Sequence, residues 1–131
     1  MPDYQRDVDQ FHKKFNIPRS KNVKLPSADY LEFRWKLLQD ETDEVFNAMQ
    51  TRDPVKIARE LVDVIYIAIG TLVACGIPLI PVWRAVHRAN MRKVLDADRG
   101  KPVKPIGWES PDITIAKALG RKTPGFLSRK T

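Results

Sequence analysis

Cysteine is nearly absent: Cys75 alone stands in 131 residues, so no internal disulfide can brace the fold and nothing requires an oxidising compartment. A lone thiol of this kind is expected to be a small buried hydrophobe. Residues 1–14 are polar and charged and lack the apolar core of a signal peptide. No internal repeat and no low-complexity tract occurs. Apolar content of 43% with 30% charged residues excludes a disordered or collagen-like chain and suits one domain around one core. Long charge-free runs are scarce too, and residues 64–83 form the one that matters. Its twenty positions match a membrane span in length. However, Gly76-Ile77-Pro78 and Pro81 break it, and Glu60 and Asp63 lie upstream on the same helix. The expectation is a cytoplasmic chain with no membrane partner.

Four helices emerge, and no stretch shows strand periodicity. The first covers about residues 3–15, with Val8, Phe11 and Phe15 at helical spacing. Ser27 is a natural N-cap for a second helix running to about Met49, with Leu31, Trp35, Leu38, Val45 and Ala48 as its inward stripe. Asp53-Pro54 caps and opens a third helix over 54–75 that Gly76 stops. The second half of that helix is apolar nearly all round, which favours burial against a second subunit. A fourth helix is expected over 78–96. Glycines and prolines then break the chain, apart from a short helix near 113–119. The division is therefore a helical catalytic domain over 1–98 and an extended basic tail over 99–131.

Charge is unevenly placed within a net +7. Up to residue 80 there are 11 basic and 12 acidic residues, and beyond it 12 and 4. A basic C-terminal third points to an anionic partner without choosing among nucleic acid, a membrane surface and a phosphorylated small molecule.

The acids are the informative feature. Asp40, Glu41 and Glu44 share one turn of the second helix, and Glu60 and Asp63 are three apart on the third. In an antiparallel hairpin turning at Arg52, Glu44 lies level with Glu60 and Glu41 with Asp63, each roughly 12–16 Å from the turn. Four carboxylates flanked by Leu37, Leu38, Val45, Leu61 and Val64 repel one another and lose hydration. A hard divalent cation, Mg²⁺ or alternatively Mn²⁺, is their natural partner. The plainer alternative is a solvated acidic face paired with Lys36, Lys56 and Arg59. Di-iron bundles of this type add an ExxH motif on two helices, and none occurs here.

In the basic half, His87, Asn90 and Lys93 recur at three-residue intervals, so one face of the fourth helix can present donors to phosphate or sugar. Lys101, Lys104 and Trp108 follow. They suit a lid whose lysines neutralise phosphates while Trp108 covers a base or an apolar pocket, or equally a tail that packs Trp108 into a niche. Arg121, Lys122, Arg129 and Lys130 read as solvated terminal charge.

With these residues placed, the chain resembles the all-α nucleoside triphosphate pyrophosphohydrolases, which include MazG proteins, dimeric dUTPases and phosphoribosyl-ATP pyrophosphohydrolases. The family pattern EExxE, spacer, ExxD reads here as Asp40-Glu41-Thr42-Asp43-Glu44, fifteen residues, then Glu60-Leu61-Val62-Asp63. Asp40 replaces the first Glu. The segment from His87 to Lys93, with Gly100-Lys101 and Lys104-Pro105, resembles the phosphoribosyl-ATP branch. The resemblance implies an all-α, MazG-like helical bundle completed as a homodimer or homotetramer. It also implies Mg²⁺-dependent cleavage of a nucleotide between the α and β phosphates. Glu41, Glu44, Glu60 and Asp63 are then the metal ligands, Glu41 or Glu44 the general base, and Asn90, Lys93, Lys101, Lys104 and Trp108 the substrate residues. Two alternatives stay open: phosphoribosyl-ATP as the substrate, or a non-enzymatic helical protein that binds nucleic acid through its basic third.

Overall fold

A computed structural model describes residues 3–122. Helix α1 spans Tyr4–Lys14, α2 Ala28–Thr51, α3 Pro54–Cys75 and α4 Leu79–Met91; strands β1 (Val94–Asp96) and β2 (Lys101–Val103) follow, then α5 (Asp112–Ala118). The class is all-α, as expected. Packing divides the chain into two units, Met1–Pro78 and Leu79–Thr131.

In the first unit side-chain caps start the helices, those at Ser27 and Asp53 as expected and one at Asp3 besides. The Asp3 carboxylate accepts the Arg6 N–H, Ser27 Oγ accepts the Tyr30 N–H at 3.1 Å, and Asp53 accepts the Val55 N–H at 2.9 Å with Pro54 opening α3. Gly76 ends α3 at φ +67°. There the loop after α1 crosses the helix end, its Ser20 and Lys24 N–H groups donating to the carbonyls of Val73 and Cys75. A Cβ at position 76 would collide with the Asn22 carbonyl, so both the backbone angle and the close approach demand glycine.

The inward stripe of α2 differs from the expected one. Arg34 and, further along, Val45 and Ala48 are buried, whereas Trp35 is 58% exposed. The stripe runs Arg34, Leu38, Glu41, Val45, Ala48 in steps of four and three. Moving one residue to Trp35 turns about 100° away from it. The opposing stripe of α3 is Glu60, Asp63, Ile67, Gly70, Ala74. Val8 from α1 and Ile69, Val73 and Cys75 from α3 complete the core of this unit, and Cys75 is a buried free thiol whose pKa burial raises.

The buried arginine is held across the hairpin. Its Nε donates to Thr71 Oγ1 at 3.1 Å and a terminal nitrogen to the Ile67 carbonyl at 2.8 Å. Beside it, His12 is 2% exposed and donates from Nδ1 to the Pro18 carbonyl at 3.0 Å. Gly70 leaves the room for both, since a Cβ there would lie 2.8 Å from His12 Nε2 and closer still to the Arg34 guanidinium. Burial, reinforced by the positive charge of Arg34, holds the imidazole below its ordinary pKa, against the opposing pull of the Pro18 carbonyl.

The expected burial of α3 on all sides is not reached within one chain, because Val62 and Ile65 are more than half exposed. Among the described residues, no single helix is long and apolar enough to cross a membrane.

The second unit corrects two expectations. The fourth helix ends at Met91 rather than near residue 96, and a strand pair follows where none was expected. β1 and β2 are antiparallel, with Val94 opposite Val103, Leu95 opposite Pro102 and Asp96 opposite Lys101. The Asp96 carboxylate accepts the N–H groups of Asp98 and Arg99, and Gly100 takes φ +64°, which closes the turn. Three residues per strand are too few for alternation to stand out in sequence. The last helix covers Asp112–Ala118, one residue before the expected span. Arg129 and Lys130 lie outside the described residues.

Candidate metal centre

Glu41 lies on the inward stripe of α2, and Glu60 and Asp63 on that of α3. The antiparallel register sets them level. The same register brings Arg34 against Ile67 and Thr71 one to two turns further along. Glu41, Glu60 and Asp63 each offer a carboxylate oxygen, and the three oxygens lie within 4.8 Å of one another. Oxygens around a divalent cation stand about 3–5 Å apart for bond lengths of about 2.0–2.6 Å. Three half-buried carboxylates at that spacing are a donor set suited to a hard divalent ion, and they can hold one.

Glu41 carries the electrostatic signature of the cluster. Partial burial first, then the negative charges of Asp63, Glu60, Glu44 and Asp40, raise its carboxyl above the ordinary carboxylate pKa. Among the described residues, countercharge at the trio is sparse. Arg59 reaches Glu60 Oε1 at 3.2 Å, but its own side chain is 68% exposed, so water screens the pair. Lys36, a partner of these acids in the plainer alternative, pairs with Glu32.

Glu44 stands apart. It is exposed and outside the trio, because it falls one position before Val45 on the stripe and so turns towards solvent. Its charge still acts on Glu41.

Among the basic-half residues, all in the second unit, Lys93 and Lys104 meet at Trp108. Asn90 lies exposed in the last turn of α4, with His87 exposed one turn earlier. Lys93 is beyond the helix end, its N–H donating to the Asn90 carbonyl at 3.1 Å, so the expected helical face stops at Met91. Lys101 is exposed on β2. Trp108 is half-buried and its indole N–H donates to the Ala89 carbonyl at 2.7 Å. Lys104 Nζ lies 4.9 Å and Lys93 Nζ 5.8 Å from the centre of the same ring. Beside it is a hollow of about 260 Å³ lined by Arg92, Pro105, Gly107, Trp108 and Glu109.

A larger hollow of the first unit, about 700 Å³, is bounded by Arg6, Asp9, Arg19, Val73 and Ile77 and includes none of the acidic trio. The buried polar and charged residues that sequence reasoning passed over are Arg34 and His12. Arg34 was detectable as the position seven before Glu41 on one stripe, but the neighbouring Trp35 is the stronger apolar signal.

No curated protein matches the chain. A family model does, over residues 8–90, and its description is phosphoribosyl-ATP pyrophosphohydrolase. The match takes in α1 from Val8 onward, all of α2 and α3, most of α4, all four acids and Asn90, and ends before Lys93. Covering more than half of the chain and the whole metal-suited trio, it shows that this protein belongs to the phosphoribosyl-ATP pyrophosphohydrolase family.

Proposed function

We propose that the protein is a Mg²⁺-dependent pyrophosphohydrolase that cleaves a nucleoside triphosphate between its α and β phosphates, releasing a nucleoside monophosphate and pyrophosphate. The observation that carries this reading is the convergence of Glu41, Glu60 and Asp63 from two helices at ligand spacing with little countercharge. Glu41, Glu60 and Asp63 would hold Mg²⁺, with Mn²⁺ as its substitute. A bound divalent ion supplies charge neutralisation at phosphate oxygens and lowers the pKa of water. Glu44, outside the trio and open to solvent, is free to accept the proton of the attacking water as the phosphoanhydride bond breaks. Glu41 is the second candidate for that role. Asn90, Lys93, Lys101 and Lys104 contribute donors and positive charge for the polyphosphate, with Trp108 beside two of them.

The apolar surface of Trp35, Phe46, Val62 and Ile65, each more than half exposed, supports a homodimer or homotetramer. A cytoplasmic location agrees with such a reaction. Phosphoribosyl-ATP is the second substrate reading, favoured by the description of the matching family model. The test is a panel of the common NTPs and dNTPs together with phosphoribosyl-ATP, scored for pyrophosphate. Release with Mg²⁺, stopped by EDTA and by Glu60→Gln in a variant that stays folded, is the expected result. Wild-type rates in Glu60→Gln would end the assignment.

A further inference from the structure

Resting on the reading of Lys93 and Lys104 as polyphosphate ligands, we infer that Trp108 is a positioning residue, an anchored ring that holds these two ammonium groups together as one receptor for a phosphate group. The anchoring is local and fully specified. Pro105-Ile106-Gly107-Trp108 closes as a tight turn, with the Trp108 N–H donating to the Pro105 carbonyl at 3.0 Å and Gly107 at φ +80°. That turn folds Trp108 back beside Lys104. The indole N–H is then spent on the Ala89 carbonyl at 2.7 Å, which fixes the ring to α4. Lys93, just past the end of α4, meets the same ring. The terminal nitrogen of Arg92 donates to the Glu109 carbonyl at 3.4 Å, a further tie between the helix end and the turn.

Two like charges on one ring repel each other. The ion pairs of the described residues join neither lysine to a carboxylate, and the indole ring is the partner that both ammonium groups share. A group carrying two negative charges and several acceptor oxygens relieves that repulsion, which a base or an apolar group does not. Trp108 therefore acts through the lysines and not as a cover for the base.

The test uses the full chain with inorganic pyrophosphate in EDTA at low salt, followed by titration calorimetry, so it depends on neither metal nor turnover. Trp108→Leu should weaken binding about tenfold, the loss expected when cation–π support of about that size is withdrawn. Trp108→Phe, which keeps a ring face, should recover most of it. Lys104→Gln should weaken wild type severalfold yet cost little further in Trp108→Leu, because the ring and the lysine act as one unit. A chain with Trp35 and Trp83 replaced by Phe leaves Trp108 as the sole indole, and its emission should change on adding pyrophosphate but not on adding chloride of equal ionic strength. Unchanged affinity in Trp108→Leu, independent losses in the double variant, silent emission, or no pyrophosphate binding by wild type would each overturn the inference. If pyrophosphate binding depends on Trp108 while no nucleotide is cleaved, the proposed activity falls and this inference stands.

Discussion

Replacing Glu41 by Gln should make the metal-free protein more stable while disabling it. The carboxylate oxygens of Glu41, Glu60 and Asp63 lie within 4.8 Å of one another. At that separation two unit charges repel by about 0.9 kcal/mol in water and about 3.5 kcal/mol at an effective dielectric of 20. The site is half-exposed and salt screens it, so the lower figure governs. Glu41→Gln removes two such pairs and lessens the repulsion from Glu44 and Asp40, a gain of about 1–2 kcal/mol. For a chain of this size the melting temperature should rise by about 3–8 °C. The assay is thermal unfolding in EDTA, repeated with Mg²⁺. Wild type should gain stability from Mg²⁺ by mass action, and Glu41→Gln should gain much less. A variant that melts lower than wild type in EDTA would refute the reasoning, since it would mean that the trio is internally compensated rather than waiting for a cation.

Two further outcomes follow from buried groups away from the trio. His12 is held below its ordinary value of 6.5, so the unfolded chain binds a proton that the folded chain resists, and the associated stability is present above about pH 6.5 and is lost as pH falls below it. Melting temperature should therefore drop between pH 7.5 and 5.5 in wild type and much less in His12→Gln; equal drops would exclude this histidine as the cause. Gly76→Ala should destabilise by about 2 kcal/mol or more, because it adds both a left-handed strain and a collision with the Asn22 carbonyl. Denaturant unfolding measures it, and a neutral effect would contradict the packing of the loop across the end of α3.

Much of this was legible in the sequence because local chemistry announces itself. Ser27, Asp53-Pro54 and Gly76 mark helix ends through caps and a left-handed residue, and they fixed the α2–α3 hairpin closely enough to put Glu41 level with Asp63. The rotation of α2 was harder to read. Periodicity favours Trp35 over Arg34, and only the partners Thr71 and Ile67 on the opposite helix show why a guanidinium goes inside. That same rotation separates Glu41 from Glu44, which spacing alone cannot do. The β1–β2 hairpin was missed because three-residue strands carry no period, and with it the true end of α4. Trp108 had two readings in sequence; its bond to the Ala89 carbonyl joins residues nineteen apart and belongs to tertiary structure.

The most direct measurement is Mn²⁺ binding to the nucleotide-free protein, followed by electron paramagnetic resonance. Wild type should take up the ion and quench its free signal, Glu60→Gln and Asp63→Asn should lose that uptake, and added Mg²⁺ should displace it. Equal Mn²⁺ uptake by wild type and both variants, or none by wild type, would contradict the claim that these helices meet in order to hold a divalent cation.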